Sequence, residues 1–400
     1  MDLVTPLKTE IGALRRDGKG RFLAVLAISW GLLTGTRMIY PILLPYLQES
    51  FNLSLTVAGL LVTTLWLSGA LGQLPGGVLA DKYNERTVMA AGTIVVALAL
   101  LLVVTAPTAL VLFAATVLWG IGHSQFPIAR ITFLTHTYPD RIGSALGVTM
   151  ATGDIGQTLL PPIAGVIAAA IVWQAGFGFT IPLLLLFGVL LWWILPDQEP
   201  RETESEGFSM ESVRYVYGEL RRPTMTFMAF IMFLFIFIWQ SFTAFYPTYL
   251  VVEKGLSASL AGVLFGSFFA VGVIVKPFAG AAYDRIGMRG ALIGVLIGPV
   301  VGLALLPVVE GFWSIVAVTA LVSTMLGSGA ITQSFLAESF AEEVRGTGLG
   351  IVRTITATVG AGGPVVFGVL GDYGYFDQGY FALAIIMAGV ILLTLRMPAR

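Results

Sequence analysis

Two ten-residue segments decide how this chain folds, and they read GVLADKYNER at residues 77–86 and GAAYDRIGMR at residues 280–289. A shift of 203 residues superimposes their glycine, their aspartate and two basic positions. The same shift aligns Gly143 with Gly346, Gly147 with Gly350, Pro161 with Pro364 and Gly165 with Gly368. One constant offset in separate parts of the chain predicts an internal repeat of two homologous halves.

The composition of the whole chain is that of a membrane protein. Hydrophobic residues make up 56% of the 400 residues and charged residues only 11%, whereas soluble domains average about 25% charged residues. So few charged residues are not enough to make the surface of a soluble protein of this size polar. The net charge of −1 does not favour a nucleic-acid partner. The absence of cysteine excludes disulfides and thiolate metal sites.

Apolar runs of about 20 residues recur along the chain, which is the length that crosses a hydrocarbon core of ~30 Å. They must be helices, because a bilayer core offers no water to unpaired backbone groups. We predict an all-α membrane protein with twelve spans, at residues 22–46, 56–80, 87–105, 109–136, 143–169, 172–195, 224–249, 258–282, 289–308, 311–337, 347–370 and 378–396.

The basic residues between these spans predict the orientation of the protein. Seventeen lysines and arginines fall in the tails and in the loops on one side, and only Lys254 falls on the other. Because basic residues are enriched in cytoplasmic loops, both termini are predicted to be cytoplasmic. The first residues lack the short apolar stretch and the cleavage site of a secretory signal.

The repeat and the spans together predict the domain organisation. We expect a cytoplasmic tail at 1–21, a six-helix bundle at 22–195, a cytoplasmic linker at 196–223, a second six-helix bundle at 224–396 and a cytoplasmic end at 397–400. Parallel repeats of six helices, with a substrate site between them, are typical of transporters.

The two motif segments resemble the loop motif of the major facilitator superfamily, which carries glycine, aspartate and basic residues after the second and eighth spans. The resemblance covers essentially the whole chain and implies that these residues close the cytoplasmic side, with Lys276 packed beside them. The alternative is that they only set the topology. Asn84 stands where glycine is usual, and both residues tolerate positive φ. Glycine in the motif also lets helices approach closely. The predicted gate residues are Gly77, Asp81, Lys82, Arg86, Gly280, Asp284, Arg285, Arg289 and Lys276.

Four basic residues lie inside predicted spans, namely Arg37, Arg130, Lys276 and Arg353, against one well-buried carboxylate, Asp154. Each central charge costs roughly 2.5–3.5 kcal/mol on insertion scales. These side chains should therefore face a hydrated cavity, an ion pair or another helix. An excess of cations over carboxylates within the membrane favours an anionic substrate.

Arg37 and Arg130 are the principal candidates for substrate binding. A guanidinium is always charged and matches a carboxylate or phosphate bidentately. An arginine in the first span with another in the fourth is similar to the organic-anion and sugar-acid branch of the superfamily, and this implies that they hold the anion or couple it to a carboxylate. The alternative is a structural salt bridge with Asp154. Further candidates are Tyr40, Gln240, Tyr246 and Arg353.

Asp154 and His123 are the candidates for proton coupling. Asp154 is the one carboxylate well inside a span. In general, burial raises the pKa of a carboxylate and a neighbouring arginine lowers it. A permanent ion pair with an arginine is the alternative. His123 can exchange protons near neutral pH, although a lone histidine within a span is more often a hydrogen-bonded core residue.

We therefore predict a secondary transporter of the major facilitator superfamily that moves a small organic anion with protons across the cell membrane by alternating access. A proton-driven drug exporter is the alternative, and a receptor of the same fold without transport is less favoured. The chain lacks a glycine-rich phosphate loop, a paired-histidine zinc motif and a Gly-x-Ser-x-Gly elbow. We expect no enzymatic activity, no cofactor and no metal, and a monomer.

Overall fold

The computed structural model describes residues 14, 18–197, 218, 223–340 and 345–397, and this part of the chain is almost entirely helical. Only the backbone is described at residues 74, 75, 77, 78, 80–82, 223, 337, 345–349 and 353. In chain order the helices are α1 (Gly20–Arg37), α2 (Ile39–Phe51), α3 (Leu55–Tyr83), α4 (Glu85–Val104), α5 (Ala109–Thr137), α6 (Ile142–Ala170), α7 (Trp173–Gly178), α8 (Thr180–Ile194), α9 (Pro223–Val252), α10 (Ala258–Leu305), α11 (Phe312–Ser323), α12 (Ser328–Ser339), α13 (Arg345–Gly360), α14 (Gly363–Asp372) and α15 (Phe376–Thr394). Short 3-10 helices lie at Pro139–Arg141 and Thr324–Gly327.

The first predicted span is interrupted where α1 gives way to α2. Pro41 has no amide hydrogen to donate to the carbonyl of Arg37, four residues earlier, and a proline ring also clashes with that carbonyl. Accordingly α1 ends at Arg37, and Met38 separates it from α2. The break leaves the charge of Arg37 in the last turn of α1, where the helix macrodipole favours a cation.

The described residues divide into two compact units. One contains the described residues up to Leu43 and those from Leu67 to 197, and the other contains residues 44–66 and the described residues from 218 onwards. The boundary cuts through α2 and α3, whose residues 44–66 belong with the second half of the chain. The domain bounds predicted from the sequence stay predictions.

At corresponding points of the two halves, the backbone adopts the same uncommon conformation. Asn84 has φ 68° and ψ 155°, and Gly287, 203 residues later, has φ 74° and ψ 174°. Asparagine is one of the few residues other than glycine that tolerates positive φ. The departure from glycine at position 84 therefore leaves the turn of the motif unchanged.

α10 consists of two helical segments that are divided at Gly287. Its 48 residues correspond to about 72 Å at 1.5 Å per residue, more than twice the ~30 Å hydrocarbon core. The non-helical φ and ψ of Gly287 interrupt the helix between the predicted spans 258–282 and 289–308. That two crossings meet at Gly287 stays a prediction.

Ten helical stretches of the described residues are long and apolar enough to cross a membrane. They differ from the twelve predicted spans in two places. The α10 stretch counts once, and α6 is not among the ten. α6 has the length, at 29 residues, but it contains five glycines together with Asp154 and Gln157. Twelve crossings and cytoplasmic termini stay predictions.

Glycines set the packing between α1 and α6 in the first unit. A Cβ atom on Gly31 would lie 2.7 Å from the carbonyl oxygen of Thr152, and one on Gly156 would overlap the backbone of Gly31. The two helices therefore touch backbone to backbone, which small residues permit. In the second unit a Cβ on Gly363 would lie 2.6 Å from the carbonyl oxygen of Phe237, so α9 and α14 meet in the same way.

Gly280, at the start of the second motif segment, does not bring two helices together. A Cβ atom on Gly280 would meet no atom within 4 Å, and the same holds for Gly143, Gly147 and Gly350. The expectation of a close helix approach at Gly280 is therefore wrong. The close approaches occur at glycines outside the motif, because they depend on which helix faces each position.

Candidate functional site

Arg130 is held in a fixed position within α5. Its side chain is buried, with 7% of the residue exposed. Its Cζ atom lies 4.1 Å from the centroid of the Trp30 ring on α1, and its Nη1 donates to Oγ1 of Thr149 on α6 at 3.1 Å. Three helices therefore fix one guanidinium, with an aromatic face beneath it.

His123 lies on the same face of α5 as Arg130, seven residues or about two helical turns before it. Its ring stacks on Trp119 at 5.0 Å between centroids and lies 5.9 Å from the ring of Trp30. The positive charges of Arg37 and Arg130 both act on its imidazole. Only 5% of His123 is exposed, and its Nε2 has no hydrogen-bond partner among the described residues. Arg37, His123 and Arg130, together with Trp30, are called the basic cluster below.

Arg37 enters the basic cluster from the end of α1. It is half-buried, and it lies seven residues, about two helical turns, after Trp30, so the two residues share a face of α1. The break at Met38 fixes its position at the end of the helix. Both arginines predicted to bind substrate therefore belong to the same unit and the same cluster.

α6 completes the cluster opposite α1. A Cβ atom on Gly153 would lie 2.7 Å from Nε1 of Trp30, so glycine makes room for the indole. The hydroxyl of Thr34 donates to the carbonyl oxygen of Gly153 at 3.2 Å, which ties the two helices together. Asp154 is the next residue along and is half-buried. The carboxylate predicted to couple protons thus lies beside the glycine that receives Trp30.

Tyr40 lies in the packed interior of the first unit. It is fully buried, and its hydroxyl accepts a hydrogen bond from Thr116 at 3.4 Å. Its ring packs against Phe177 at 4.9 Å and Trp119 at 6.1 Å. Through Trp119 it supports the ring on which His123 stacks. Direct contact with substrate stays a prediction for Tyr40.

The remaining substrate candidates belong to the second unit. Tyr246 is buried, stacks on Phe242 at 4.6 Å and shares a hydrogen bond with the hydroxyl of Thr319. Gln240 is also buried, and its Oε1 has no partner among the described residues. Arg353 lies in α13, where only its backbone is described. Their roles in binding stay predictions.

The first copy of the motif contacts the segment that follows α8. Nη2 of Arg86 lies 2.9 Å from Oδ2 of Asp197, and its Cζ atom lies 4.7 Å from the ring of Trp192. The side chain of Asn84 donates to Oδ1 of Asp197 at 2.7 Å and accepts from the amide of Thr87 at 2.8 Å. Two motif residues therefore hold the same carboxylate, and Asn84 also caps α4.

The second copy of the motif contains both exposed and partly buried residues. Asp284 and Arg285 are exposed, while Arg289 and Lys276 are partly buried. For Gly77, Asp81 and Lys82 of the first copy only the backbone is described. A gating role for the two motif segments stays a prediction.

The sequence did not identify Trp119, Thr149 and Asp197 as parts of these sites. Thr149 and Asp197 are ordinary polar residues whose partners lie on distant helices, so no local signal distinguishes them. Within the described residues, no group of three or more histidines or acidic residues is arranged to hold a metal ion. The chemistry that the basic cluster offers is the binding of an anion through charge-assisted hydrogen bonds.

Comparisons with known proteins agree on the kind of protein this is. A family model described as the Major Facilitator Superfamily matches residues 25–364. The chain is 27% identical to the "Hexuronate transporter" of Bacillus subtilis, over 86% of this chain and 85% of that protein. It is 24% identical to the "Probable sulfoacetate transporter" of Cupriavidus necator, over 92% of this chain and 90% of that protein.

An inorganic anion is named in another relative. The "Probable nitrate transporter" of Staphylococcus epidermidis is 23% identical over 88% of this chain and 89% of its own length. Among solved structures, the nucleoside transporter NupG superimposes with a TM-score of 0.80 at 13% identity, covering 93% of this chain and 98% of that one. At that identity the likeness concerns the fold alone.

Proposed function

The chain belongs to the Major Facilitator Superfamily and is a membrane transporter rather than an enzyme, and from this premise we propose that it moves a small organic anion across the cell membrane by alternating access. The substrate binds at the basic cluster, and its movement is coupled to protons. The protein acts as a monomer with cytoplasmic termini.

The fixed guanidinium of Arg130 is the observation that carries this proposal. Burial of an arginine in a membrane protein is costly unless its charge is used. Trp30 covers one face of the guanidinium, and Oγ1 of Thr149 accepts a hydrogen bond from its Nη1. A side chain already held in place loses little conformational entropy when an anion binds, so more of the binding energy is retained.

Arg37 supplies the second positive charge of the site. Arg37 and Arg130 both interact electrostatically with the imidazole of His123. A carboxylate that enters the cluster can accept a hydrogen bond from Nε2 of His123 or from an arginine. The polar atom of His123 that lacks a partner among the described residues gains one when an oxygen-rich anion binds.

The relatives support the same substrate class without fixing it. Hexuronate and sulfoacetate are organic anions, and both names belong to relatives that cover most of this chain. Nitrate is named in another relative. We favour an organic anion because the two relatives named for organic anions match this chain at 27% and 24% identity, against 23% for the probable nitrate transporter.

Asp154 is proposed to couple transport to protons. It lies on α6 next to Gly153, which contacts Trp30 of the basic cluster. This position on α6, one residue from the contact with Trp30, is what supports Asp154 as the coupling group.

The deciding experiment is uptake into proteoliposomes, with a panel of hexuronates, small sulfonates, nitrate and phosphate, under imposed pH gradients. Uptake of an organic acid by the native protein, lost in Arg37→Lys and in Arg130→Lys, is the expected result. Lysine keeps the charge but lacks the planar fork, so we expect a loss of about tenfold or more in kcat/KM. Arg396→Lys is the matched control, because Arg396 is exposed at the end of the last helix.

Other outcomes contradict the proposal in distinct ways. Uptake of nitrate alone assigns an inorganic anion to the site. Export of lipophilic cations that needs Asp154 and not Arg37 identifies a drug exporter. Ligand binding without flux of any compound identifies a receptor of the same fold.

A further inference from the structure

A carboxylate from α14 occupies the start of α3. Oδ1 of Asp372 accepts a hydrogen bond from the backbone amide of Leu55 at 2.7 Å, and Oδ2 accepts one from the amide of Thr56 at 2.9 Å. Asp372 is the last residue of α14, and Leu55 is the first of α3. Both oxygens of one exposed side chain therefore bind a helix more than 300 residues away in sequence.

This contact matches what the start of a helix requires. The first amides of an α-helix have no intrahelical partner, and the helix macrodipole favours a negative charge there. The hydroxyl of Ser54 accepts from the amide of Val57 at 3.3 Å. The amides of Leu55 and Thr56 donate to the carboxylate of Asp372 instead. Hydrogen bonds to an ionised acceptor are roughly twice as strong as neutral ones.

A seam of glycines continues the contact along both helices. A Cβ atom on Gly368 would overlap the carbonyl oxygen of Leu55, and one on Gly59 would overlap the carbonyl oxygen of Pro364. The backbones of α3 and α14 are thus in direct contact over more than one turn. Such close packing is lost steeply once the helices separate, because dispersion contacts are short-ranged.

The contact with Asp372 involves the part of α3 that packs with the second half of the chain. Residues 44–66 cluster with the second half of the chain, whereas the rest of α3, from Leu67, clusters with the first. The offset of the internal repeat places Ala169 at the position equivalent to Asp372, so the other half has no carboxylate there. One half alone therefore carries the charged contact.

We propose that Asp372 is a latch, which holds residues 44–66 against α14 in one conformational state of the transporter and releases them in another. The carboxylate of Asp372 is exposed at the end of the glycine seam, so its hydrogen bonds can break and form without rearrangement of buried side chains. The latch lies at the helix ends that the distribution of basic residues predicts to be external. It acts on the conformational equilibrium and does not depend on which substrate the protein carries.

The absence of native cysteine makes this latch directly measurable. Ala58 lies on α3 within residues 44–66 and is fully buried. A single cysteine in Ala58→Cys reports opening through its rate of reaction with a maleimide, measured on protein in lipid nanodiscs, where both sides are accessible. Ala115→Cys, buried in α5 of the other unit, is the reference reporter.

We expect Asp372→Asn to raise the labelling rate at Ala58→Cys by about tenfold, since a neutral amide loses the charge that favours the helix start. Asp372→Glu keeps the charge and should label near the native rate. Glu310→Gln removes an exposed carboxylate from the loop between α10 and α11 and should leave the rate unchanged.

An unchanged rate at Ala58→Cys in Asp372→Asn overturns the latch. An equal rise at Ala115→Cys also overturns it, because the substitution then loosens the whole protein. Since the labelling assay needs no substrate, a failure of the proposed transport function leaves the result of this experiment intact.

Discussion

The guanidinium of Arg130 lies over the indole of Trp30, with 4.1 Å between Cζ and the ring centroid. The two residues are 100 positions apart, on α5 and α1. Stacking of a cation on tryptophan contributes about 0.5–1 kcal/mol at exposed sites and about 2 kcal/mol when desolvated. This pair therefore orients the guanidinium to which, in the proposed function, the substrate binds.

Loss of the aromatic face at position 30 should weaken substrate binding. In Trp30→Leu we expect KM for the transported anion to rise by about three- to thirtyfold, from the energy of a desolvated cation–π pair. Trp30→Tyr keeps an aromatic face and should recover most of the affinity. Trp313→Leu is the control, because Trp313 is 79% exposed. A native KM in Trp30→Leu would show that Arg130 needs no such support.

Loss of the hydroxyl at position 149 should also disturb Arg130. Thr149→Val has nearly the same shape but removes the acceptor of the Nη1 hydrogen bond, which costs about 1–3 kcal/mol when the donor is buried and charged. We expect a matching fall in kcat/KM. Thr135→Val, which removes a hydroxyl bonded only to its own helix, should transport normally. Equal effects in both variants would contradict a specific role for Thr149.

Neutralising Asp154 should separate transport from the proton gradient. In Asp154→Asn we expect uptake to lose its response to an imposed pH gradient, while exchange of labelled for unlabelled substrate continues. Asp140→Asn is the control, since Asp140 is exposed in the 3-10 helix Pro139–Arg141. Uptake in Asp154→Asn that still follows the gradient would remove Asp154 from the coupling mechanism.

Two glycines of α6 should respond oppositely to alanine. Gly147→Ala meets open space and should raise the melting temperature, because alanine is favoured over glycine in a helix by up to about 1 kcal/mol. Gly156→Ala would overlap the backbone of Gly31, so the melting temperature should fall by several degrees. Thermal unfolding in detergent, followed by circular dichroism, checks both. A stabilised Gly156→Ala would refute the backbone contact between α1 and α6.

The turn of the first motif copy should tolerate glycine better than alanine. Asn84→Gly keeps the positive φ and loses only the cap and the bond to Asp197, whereas Asn84→Ala also carries backbone strain of about 1–2 kcal/mol. We therefore expect the melting temperature to fall in the order native, Asn84→Gly, Asn84→Ala. Gly287→Ala should be destabilised by the same strain, since Gly287 has φ 74°. Equal melting temperatures for Asn84→Gly and Asn84→Ala would contradict this explanation.

The sequence predicted the fold class well, because hydropathy and the constant offset of the repeat are read from residue identities alone and require no knowledge of contacts. The family assignment is confirmed by the match over residues 25–364. Within α10, the break at Gly287 falls between the predicted spans 258–282 and 289–308, where the motif glycine lies. α6 is not among the ten apolar stretches, and it carries Asp154 and Gln157 besides the glycines that allow it to pack on α1.

The candidate site was predictable only in its charges. Arg37, His123 and Arg130 stand out in the sequence because ionisable residues are rare within spans. Their neighbours do not stand out. Trp30 resembles any membrane tryptophan, and Thr149 any helix threonine, until the packing of α1 and α6 brings both to Arg130. The same holds for Gly153 and Gly156, whose partners on α1 depend on where the two helices cross.

The glycine contacts between α1 and α6 also set the mechanics of the molecule. The contact between Gly31 and Gly156 leaves no room for α1 and α6 to slide along one another unless they first move apart. While this contact holds, Trp30 on α1 and Asp154 on α6 keep a constant spacing. A shear between these two helices is therefore blocked, and a change in the distance between their charged groups requires the helices to separate.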